Sequence, residues 1–172
     1  MTTKPMPGSA APALKLPLAG GGEYDLSTQS PEAATMVVFY RGLHCPVCKD
    51  YLGQVVEKAG DFADAGMPVV LVSMDPQDRA EKAREEWGLS DLPVAYGMSE
   101  DQAREWGLYI SSSIKEAETA TFSEPGMFWV LPDGTLYMAE IASMPFARPS
   151  LDILLSKVVA IGNGYPPRGT KG

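Results

Sequence analysis

The sequence predicts a single α/β domain in which helices flank both faces of a mixed central sheet. An apolar run at 36–40 is followed by a long segment of helical spacing and by a second apolar run at 68–73. Strand, helix and strand in that order predict a parallel pair with a right-handed crossover. Two apolar segments around a Pro-Asp-Gly turn at 132–134 predict an antiparallel hairpin near the end of the chain. A length of 172 residues suits one such domain.

The N-terminal region is expected to add a small β-hairpin. Residues 1–13 are rich in Pro, Ala, Ser and Thr, which predicts a flexible tail. Apolar and polar residues then alternate from residue 14, three glycines at 20–22 predict a turn, and residues 24–26 can pair back. The domain is predicted to span residues 14–162, with 163–172 as a C-terminal tail.

The helix after the first core strand is predicted from about residue 46 to 65. Its apolar residues recur every three or four positions, and we expect them to form one buried face: Val47, Tyr51, Val55, Ala59 and Phe62. Gly66 ends this helix because glycine readily takes the left-handed capping conformation. The β-branched run at 68–73 then predicts a central strand.

Two shorter helices are predicted next. One opens at Asp75-Pro76 and ends at residue 88, and the other is capped by Ser99 and ends at Gly107. A short extended piece at 94–96 separates them. Residues 111–124 are polar and are predicted to form a surface loop near the active face.

The C-terminal part predicts a hairpin and a last helix. The strands of the hairpin are expected at 127–131 and 135–141. Pro149 suits the first turn of a helix. The apolar stripe of that helix would be Leu151, Leu154, Leu155, Val158 and Ile161.

The charge balance argues against two classes of partner. The formal net charge is −8, whereas nucleic acids and anionic membranes require a basic surface. No apolar run approaches the roughly 20 residues that span a bilayer, and the N-terminus does not resemble a secretory signal. We therefore expect a cytoplasmic protein, where paired cysteines are more often catalytic or metal-binding than structural.

The motif Cys45-Pro46-Val47-Cys48 contains both cysteines of the chain and stands at a strand-to-helix junction. Cys45 would occupy the N-cap, where free backbone N–H groups and the helix dipole stabilise a thiolate. Cys48 lies about one turn later, on the same side of the helix, and deeper. This spacing predicts that Cys45 is the attacking thiolate and Cys48 the resolving thiol.

Non-catalytic interpretations of these residues are also open. The cysteines could form an inert disulfide or remain two reduced core thiols, and a zinc site would lack its usual four protein ligands. His44 as a cation would stabilise the thiolate and as a neutral ring could shuttle a proton, or it is simply a loop residue at the surface. Arg41 could lend positive charge to Cys45 or be a solvated residue at a strand end.

The chain resembles the AhpC/TSA-type redoxins, the peroxiredoxin-like branch of the thioredoxin superfamily. The matching segments are 37–40 running into the Cys45–Cys48 motif, 72–75, and 128–134, with 14–26 similar to the N-terminal hairpin of such proteins. The resemblance implies a thioredoxin-like fold with an N-terminal β-hairpin extension. It also implies thiol-based redox chemistry without an organic cofactor or a metal.

Three positions depart from the pattern of that family. Val38 and Gly42 stand where typical peroxiredoxins carry Pro and Thr/Ser before the peroxidatic cysteine. Pro125 falls where they place an arginine before the later core strand. Pro125 lies instead near the place of the cis-proline that faces the cysteine pair in thioredoxins, so we hypothesise a cis bond there.

We therefore predict a redox-active dithiol protein, a thiol–disulfide oxidoreductase or a peroxiredoxin-like antioxidant enzyme. Its substrate would be a protein disulfide or a peroxide, and its reductant a thioredoxin- or glutaredoxin-like dithiol or a small thiol. A homodimer is a further expectation. The alternatives are a metallochaperone or redox sensor that uses the cysteine pair without turnover, and a non-enzymatic binding scaffold.

Overall fold

A five-stranded mixed sheet forms the centre of the computed structural model, which describes residues 4–172. The strands are β1 (Lys15–Pro17), β2 (Glu23–Asp25), β3 (Thr35–Phe39), β4 (Val69–Val72), β5 (Val94–Ala95), β6 (Ile110–Ser112), β7 (Thr121–Ser123), β8 (Gly126–Val130) and β9 (Leu136–Ile141). The helices are α1 (Pro46–Asp64), α2 (Gln77–Glu86), α3 (Glu100–Glu105), α4 (Leu151–Lys157) and α5 (Val159–Gly162), with a 3₁₀ turn at Leu26–Thr28.

The strand order of the central sheet is β5-β4-β3-β8-β9. β3 pairs with β4 and β4 with β5 in parallel, whereas β8 is antiparallel to both β3 and β9. This arrangement confirms the predicted mixed sheet, because α1 supplies the crossover between the two parallel strands. β1 and β2 form the predicted N-terminal hairpin.

The alternation of side chains along the sheet produces two apolar layers. On one face, residues of β3 pack with α1 and the C-terminal helices, in a core that contains both cysteines: Met36, Val38, Leu52, Val55, Phe62, Leu151 and Val158. The opposite face packs against α3 and the N-terminal hairpin: Val37, Phe39, Trp106, Phe128, Leu14 and Leu16. β3 is buried along its whole length, which fixes the segment that leads to Cys45.

The buried face of α1 agrees with the predicted one at Val55 and Phe62 and differs from it near the start of the helix. The residues of α1 that are buried are Cys48, Leu52, Val55 and Phe62. Val47 is instead 39% exposed, and Tyr51 is only partly covered. The buried face therefore begins at Cys48, one residue later than predicted, since Cys45 caps the helix and turns Val47 outward.

The segment predicted as a polar surface loop at 111–124 is partly a hairpin. β6 and β7 pair antiparallel, with Ile110 opposite Ser123 and Ser112 opposite Thr121. Residues 113–120 form its tip. The apolar stripe predicted for the last helix packs on the core as expected, but the helix is interrupted at Val158 between α4 and α5.

The N-terminal segment runs along both edges of the central sheet. Near β9, the Gly8 N–H donates to the Leu136 carbonyl at 2.7 Å, and the Leu136 N–H donates to the Ser9 carbonyl at 2.8 Å. Near β5, Leu18 bridges Ala95. The predicted flexible tail is thus paired with the sheet from residue 8 onward, because its backbone forms hydrogen bonds with the outer edge of the sheet at the start of β9. Residues 1–3 lie outside the described part. The domain bounds at 14 and 162 stay a prediction.

Within the described residues, none of the helices combines the length and the apolar character needed to cross a membrane.

Candidate active site

Cys45 and Cys48 lie at the N-terminal end of α1, both as free thiols. Cys45 is the N-cap residue, in extended backbone conformation, and Pro46 follows in the first turn. The backbone N–H of Cys48 donates to Cys45 Sγ at 3.2 Å. Their accessible surfaces are 1% and 0%, so both sulfurs are enclosed by protein.

The two thiols differ in acidity. The pKa of Cys45 is lowered to about 6, chiefly because the Cys48 thiol donates to its sulfur, with the Cys48 backbone N–H and Arg41 adding to the effect against the cost of burial. Burial raises the pKa of Cys48, and the neighbouring Cys45 sulfur raises it further. At neutral pH Cys45 is therefore the thiolate and Cys48 the thiol.

Arg41 is held beside Cys45 by acidic residues of the β6–β7 region. Its Nε lies 3.1 Å from Glu124 Oε2, and its Nη2 lies 3.9 Å from Glu118 Oε1. The guanidinium carbon sits 4.8 Å from the centre of the Phe122 ring. With 19% of its side chain exposed, Arg41 is not the solvated strand-end residue that the sequence also allowed.

His44 packs against the same aromatic ring, 4.6 Å between ring centres. Burial, followed by the nearby Arg41 cation, lowers the pKa of His44 to about 4. The imidazole is neutral near pH 7, so the cationic role considered from the sequence is wrong. Neither ring nitrogen has a hydrogen-bond partner within the described residues.

Pro125 precedes β8 and lines a small cleft together with Val38, Tyr51 and Arg148. Its carbonyl accepts from the Ala142 N–H at 3.0 Å. No peptide bond among residues 4–172 is cis, so the cis-proline hypothesis is wrong. Pro125 shares the cleft with Arg148, which contacts Cys48, and its place opposite the cysteine pair stays a prediction.

Arg148 is the residue of the site that the sequence did not reveal. Its Nη2 donates to Cys48 Sγ at 3.0 Å, although 100 residues separate the two in sequence. The loop between β9 and α4 carries it to the N-terminus of α1. No motif or spacing in the sequence connects it with the cysteines, and the family pattern places its arginine at the position of Pro125.

The loop that leads into Cys45 is anchored by a buried carboxylate. Asp75, 1% exposed, accepts from the Leu43 N–H at 2.8 Å, and Arg79 Nε lies 3.5 Å from its Oδ1. A Cβ on Gly42, whose φ is +137°, would stand 2.5 Å from Asp75 Oδ1. The place of the family's Thr/Ser is therefore filled by the Asp75 carboxylate, and glycine is required there.

The described residues place no cluster of three or more His, Cys, Asp or Glu side chains where it could hold a metal ion. The metal-carrying alternative stays a hypothesis that rests on the cysteine pair alone.

The crossover around α1, the mixed sheet and the dithiol at the helix N-terminus define a redox protein of thioredoxin-like fold. The chain belongs to the AhpC/TSA family, whose model matches residues 7–139. The predicted resemblance is thereby confirmed, and the chain is a thiol-dependent peroxidase or oxidoreductase.

Individual proteins agree with this assignment. A Mycobacterium tuberculosis protein whose name places it among the peroxiredoxins is 31% identical over 108 residues, which cover 63% of this chain and 68% of the relative. The crystal structure of peroxidoxin BcpB from M. tuberculosis matches with a TM-score of 0.74 and 19% identity, over 91% of this chain and 98% of that one. A peroxiredoxin-like protein from Aquifex aeolicus matches with a TM-score of 0.74 and 16% identity, over 92% and 89% of the two chains.

Proposed function

We propose that this protein is a thiol-dependent peroxidase in which Cys45 reduces a hydroperoxide and Cys48 resolves the product. The observation that carries the proposal is the environment of Cys45, a helix-capping sulfur with a lowered pKa that is 1% exposed and lies beside Arg41. A thiolate that accepts hydrogen bonds and has a cation nearby is stabilised as the nucleophile.

In the first step, the Cys45 thiolate attacks the distal oxygen of the peroxide. The S–O bond forms as the O–O bond breaks. The leaving alkoxide or hydroxide takes a proton from solvent, equivalent to the one that Cys45 released on ionising, and becomes alcohol or water. The sulfur is oxidised to sulfenic acid and the peroxide oxygens are reduced. Arg41 supplies positive charge where negative charge develops on the oxygens.

The burial of Cys45 favours a peroxide over a protein disulfide as the substrate. Attack on a protein disulfide requires that a second protein bring its sulfur into line with Cys45 Sγ. A residue that is 1% exposed admits a two-oxygen group more easily than a folded partner. The sequence left these two substrates open, and the burial of Cys45 supports our choice of a peroxide.

Arg41 can replace the hydrogen-bond donor and the cation that the family motif lacks in this chain. Gly42 supplies no hydroxyl at the place of Thr/Ser, and Pro125 supplies no cation at the place of the arginine. Arg41, fixed by Glu124 and Glu118, provides both donors and charge from the loop before Cys45. We propose that it takes over the activation of the peroxide.

Turnover needs an external reductant. Once a Cys45–Cys48 disulfide has formed, a thioredoxin- or glutaredoxin-like dithiol or a small thiol would reduce it by exchange. Such reductants prevail in a reducing compartment, which fits a cytoplasmic location.

The test is the rate at which reduced protein loses the Cys45 thiol in excess hydrogen peroxide at pH 7, compared with free cysteine. Cys45, with a pKa of about 6, is more fully ionised at pH 7 than free cysteine, with a pKa of about 8.5. This difference in the thiolate fraction alone makes the reaction of Cys45 about 30-fold faster. We expect a rate several orders of magnitude above that limit, and no fast phase in Cys45→Ser. A rate within the limit would refute the peroxidase proposal, since the site would then do no more than ionise the thiol.

A further inference from the structure

The first oxidation step, as proposed, does not use the contact between Arg148 and Cys48. Arg148 Nη2 donates to Cys48 Sγ at 3.0 Å. Cys48 itself is fully buried, with 0% of its surface accessible. The guanidinium is therefore directed at the second sulfur of the motif.

Two contacts fix the guanidinium in this orientation, and a third fixes the Tyr51 ring on which it packs. Its Nη1 donates to the Pro145 carbonyl at 2.8 Å, which ties the side chain to its own loop. Its carbon lies 4.9 Å from the centre of the Tyr51 ring on α1. The Tyr51 hydroxyl in turn donates to the Pro149 carbonyl at 2.9 Å. Helix α1 and the loop before α4 thus hold Arg148 in place before any reaction occurs.

The chemistry of the second step requires a charge on Cys48. The Cys48 sulfur must become a thiolate to attack the Cys45 sulfur, but burial opposes that ionisation. The Cys45 anion opposes it as well until the peroxide converts Cys45 to neutral sulfenic acid. From that moment Arg148 is the cation in hydrogen-bond contact with Cys48 in the described part of the chain.

We propose that Arg148 is a catalytic residue of the resolving step, in which it stabilises the Cys48 thiolate as that sulfur attacks Cys45. The S–S bond forms while the S–O bond of the sulfenic acid breaks, and hydroxide leaves with the proton that Cys48 released, as water. The Cys45 sulfur is reduced and the Cys48 sulfur is oxidised, to the level of a disulfide. This inference rests on the proposed function only in its use of sulfenic acid as the electrophile.

The first measurement separates the two half-reactions. Reduced protein is mixed with hydrogen peroxide and quenched with dimedone, and mass spectrometry follows trapped sulfenic acid and the disulfide separately. In Arg148→Gln, which keeps a long neutral side chain against Tyr51, we expect sulfenic acid to form within about twofold of the wild-type rate. We expect the disulfide to form at least about tenfold more slowly, because a charge-assisted hydrogen bond is lost.

Two further variants distinguish charge from packing. Arg148→Lys keeps the cation and is expected to recover a substantial part of the resolving rate. Arg104→Ala removes an arginine that pairs with Glu100 on the surface and is expected to change neither step. An Arg148→Gln protein that resolves at the wild-type rate would overturn the proposal, as would an Arg148→Lys protein as slow as the glutamine variant.

A second assay does not depend on peroxide. Methyl methanethiosulfonate, a small neutral reagent, converts Cys45 to its methyl disulfide, and attack by Cys48 then releases methanethiol and leaves the Cys45–Cys48 disulfide. Arg148→Gln is expected to slow this release by at least about tenfold as well. If the wild type fails the peroxide test but this release still depends on Arg148, the peroxidase proposal fails and the role of Arg148 stands. Release that is independent of Arg148 refutes that role.

Discussion

Replacing Gly42 with alanine adds one methyl group at a crowded point of the loop before Cys45. The new Cβ would lie 2.5 Å from Asp75 Oδ1 and 3.0 Å from the carboxyl carbon, in a residue whose φ is +137°. The carboxylate cannot move away freely, because it is buried and accepts the Leu43 N–H at 2.8 Å. The backbone, the carboxylate or both must therefore shift.

The expected cost follows from two contributions. A residue with a side chain at such a φ costs on the order of 1–3 kcal/mol. Displacing the carboxylate weakens a hydrogen bond to a charged group, which is worth about 1.5–3 kcal/mol. We expect Gly42→Ala to lower the free energy of unfolding by about 3–5 kcal/mol, a large share of the roughly 5–15 kcal/mol of a typical domain.

Urea denaturation of the reduced protein measures this loss as a lower midpoint at unchanged slope. Gly53→Ala is the matched control, since a Cβ on Gly53 in α1 meets nothing within 4 Å, and we expect a gain of about 0.5–1 kcal/mol there. In an Asp75→Ala background the Gly42→Ala cost should shrink by about 2 kcal/mol, since the clash is gone. A loss below about 0.5 kcal/mol for Gly42→Ala alone, within the range of ordinary surface substitutions, would show that the Asp75 carboxylate does not exclude a side chain at residue 42.

The acidity of Cys45 and the second apolar layer give three further predictions. The alkylation rate of Cys45 by iodoacetamide, followed by peptide mass spectrometry, should rise with pH around about 6 and level off above it; a midpoint near 8.5, the ordinary value, would contradict the thiolate assignment. Arg41→Ala should raise that midpoint and Arg41→Lys should raise it less, whereas equal midpoints in all three proteins would exclude Arg41 from the site. Trp106→Ala should lower the unfolding free energy by about 3–5 kcal/mol, measured in urea, because the ring is fully buried against Phe39 and Phe128. The same variant should leave the Cys45 midpoint unchanged, since Trp106 lies on the opposite face of the sheet.

Short-range patterns predicted much of the fold because their causes are local. Ser99 caps α3 through a reciprocal pair of bonds, since its Oγ accepts from the Gln102 N–H and the Gln102 side chain accepts from the Ser99 N–H. Cys45 caps α1 for a similar reason, with Pro46 in the first turn. The identities of a few neighbouring residues are therefore sufficient to predict where α1 and α3 begin.

The orientation of α1 was harder to predict because apolar residues come in adjacent pairs. Tyr51 is followed by Leu52, and Val55 by Val56, so two neighbouring helical faces look almost equally apolar. The structure selects the face of Cys48 and Leu52. Treating Cys48 as an apolar residue would have favoured the observed face.

The supporting residues of the site depend on long-range contacts. Arg148 reaches Cys48 across 100 residues of sequence, and no periodicity carries that information. β6 and β7 are three residues each and largely polar, so alternation gave no signal there. Their contribution to the site becomes visible only when Glu124 and Phe122 are seen against Arg41.

The N-terminal segment has a consequence for association between molecules. An open strand at the side of a sheet exposes unpaired N–H and C=O groups, to which a strand of another chain can add. Residues 8–11 bond to the start of β9, and residues 17–19 bond to β5, so one continuous stretch occupies backbone groups at both outer strands. Proteolytic removal of the first dozen residues would leave the cysteine loop intact and expose the start of β9. The first sign of such trimming would be aggregation at high protein concentration, before any loss of thiol chemistry.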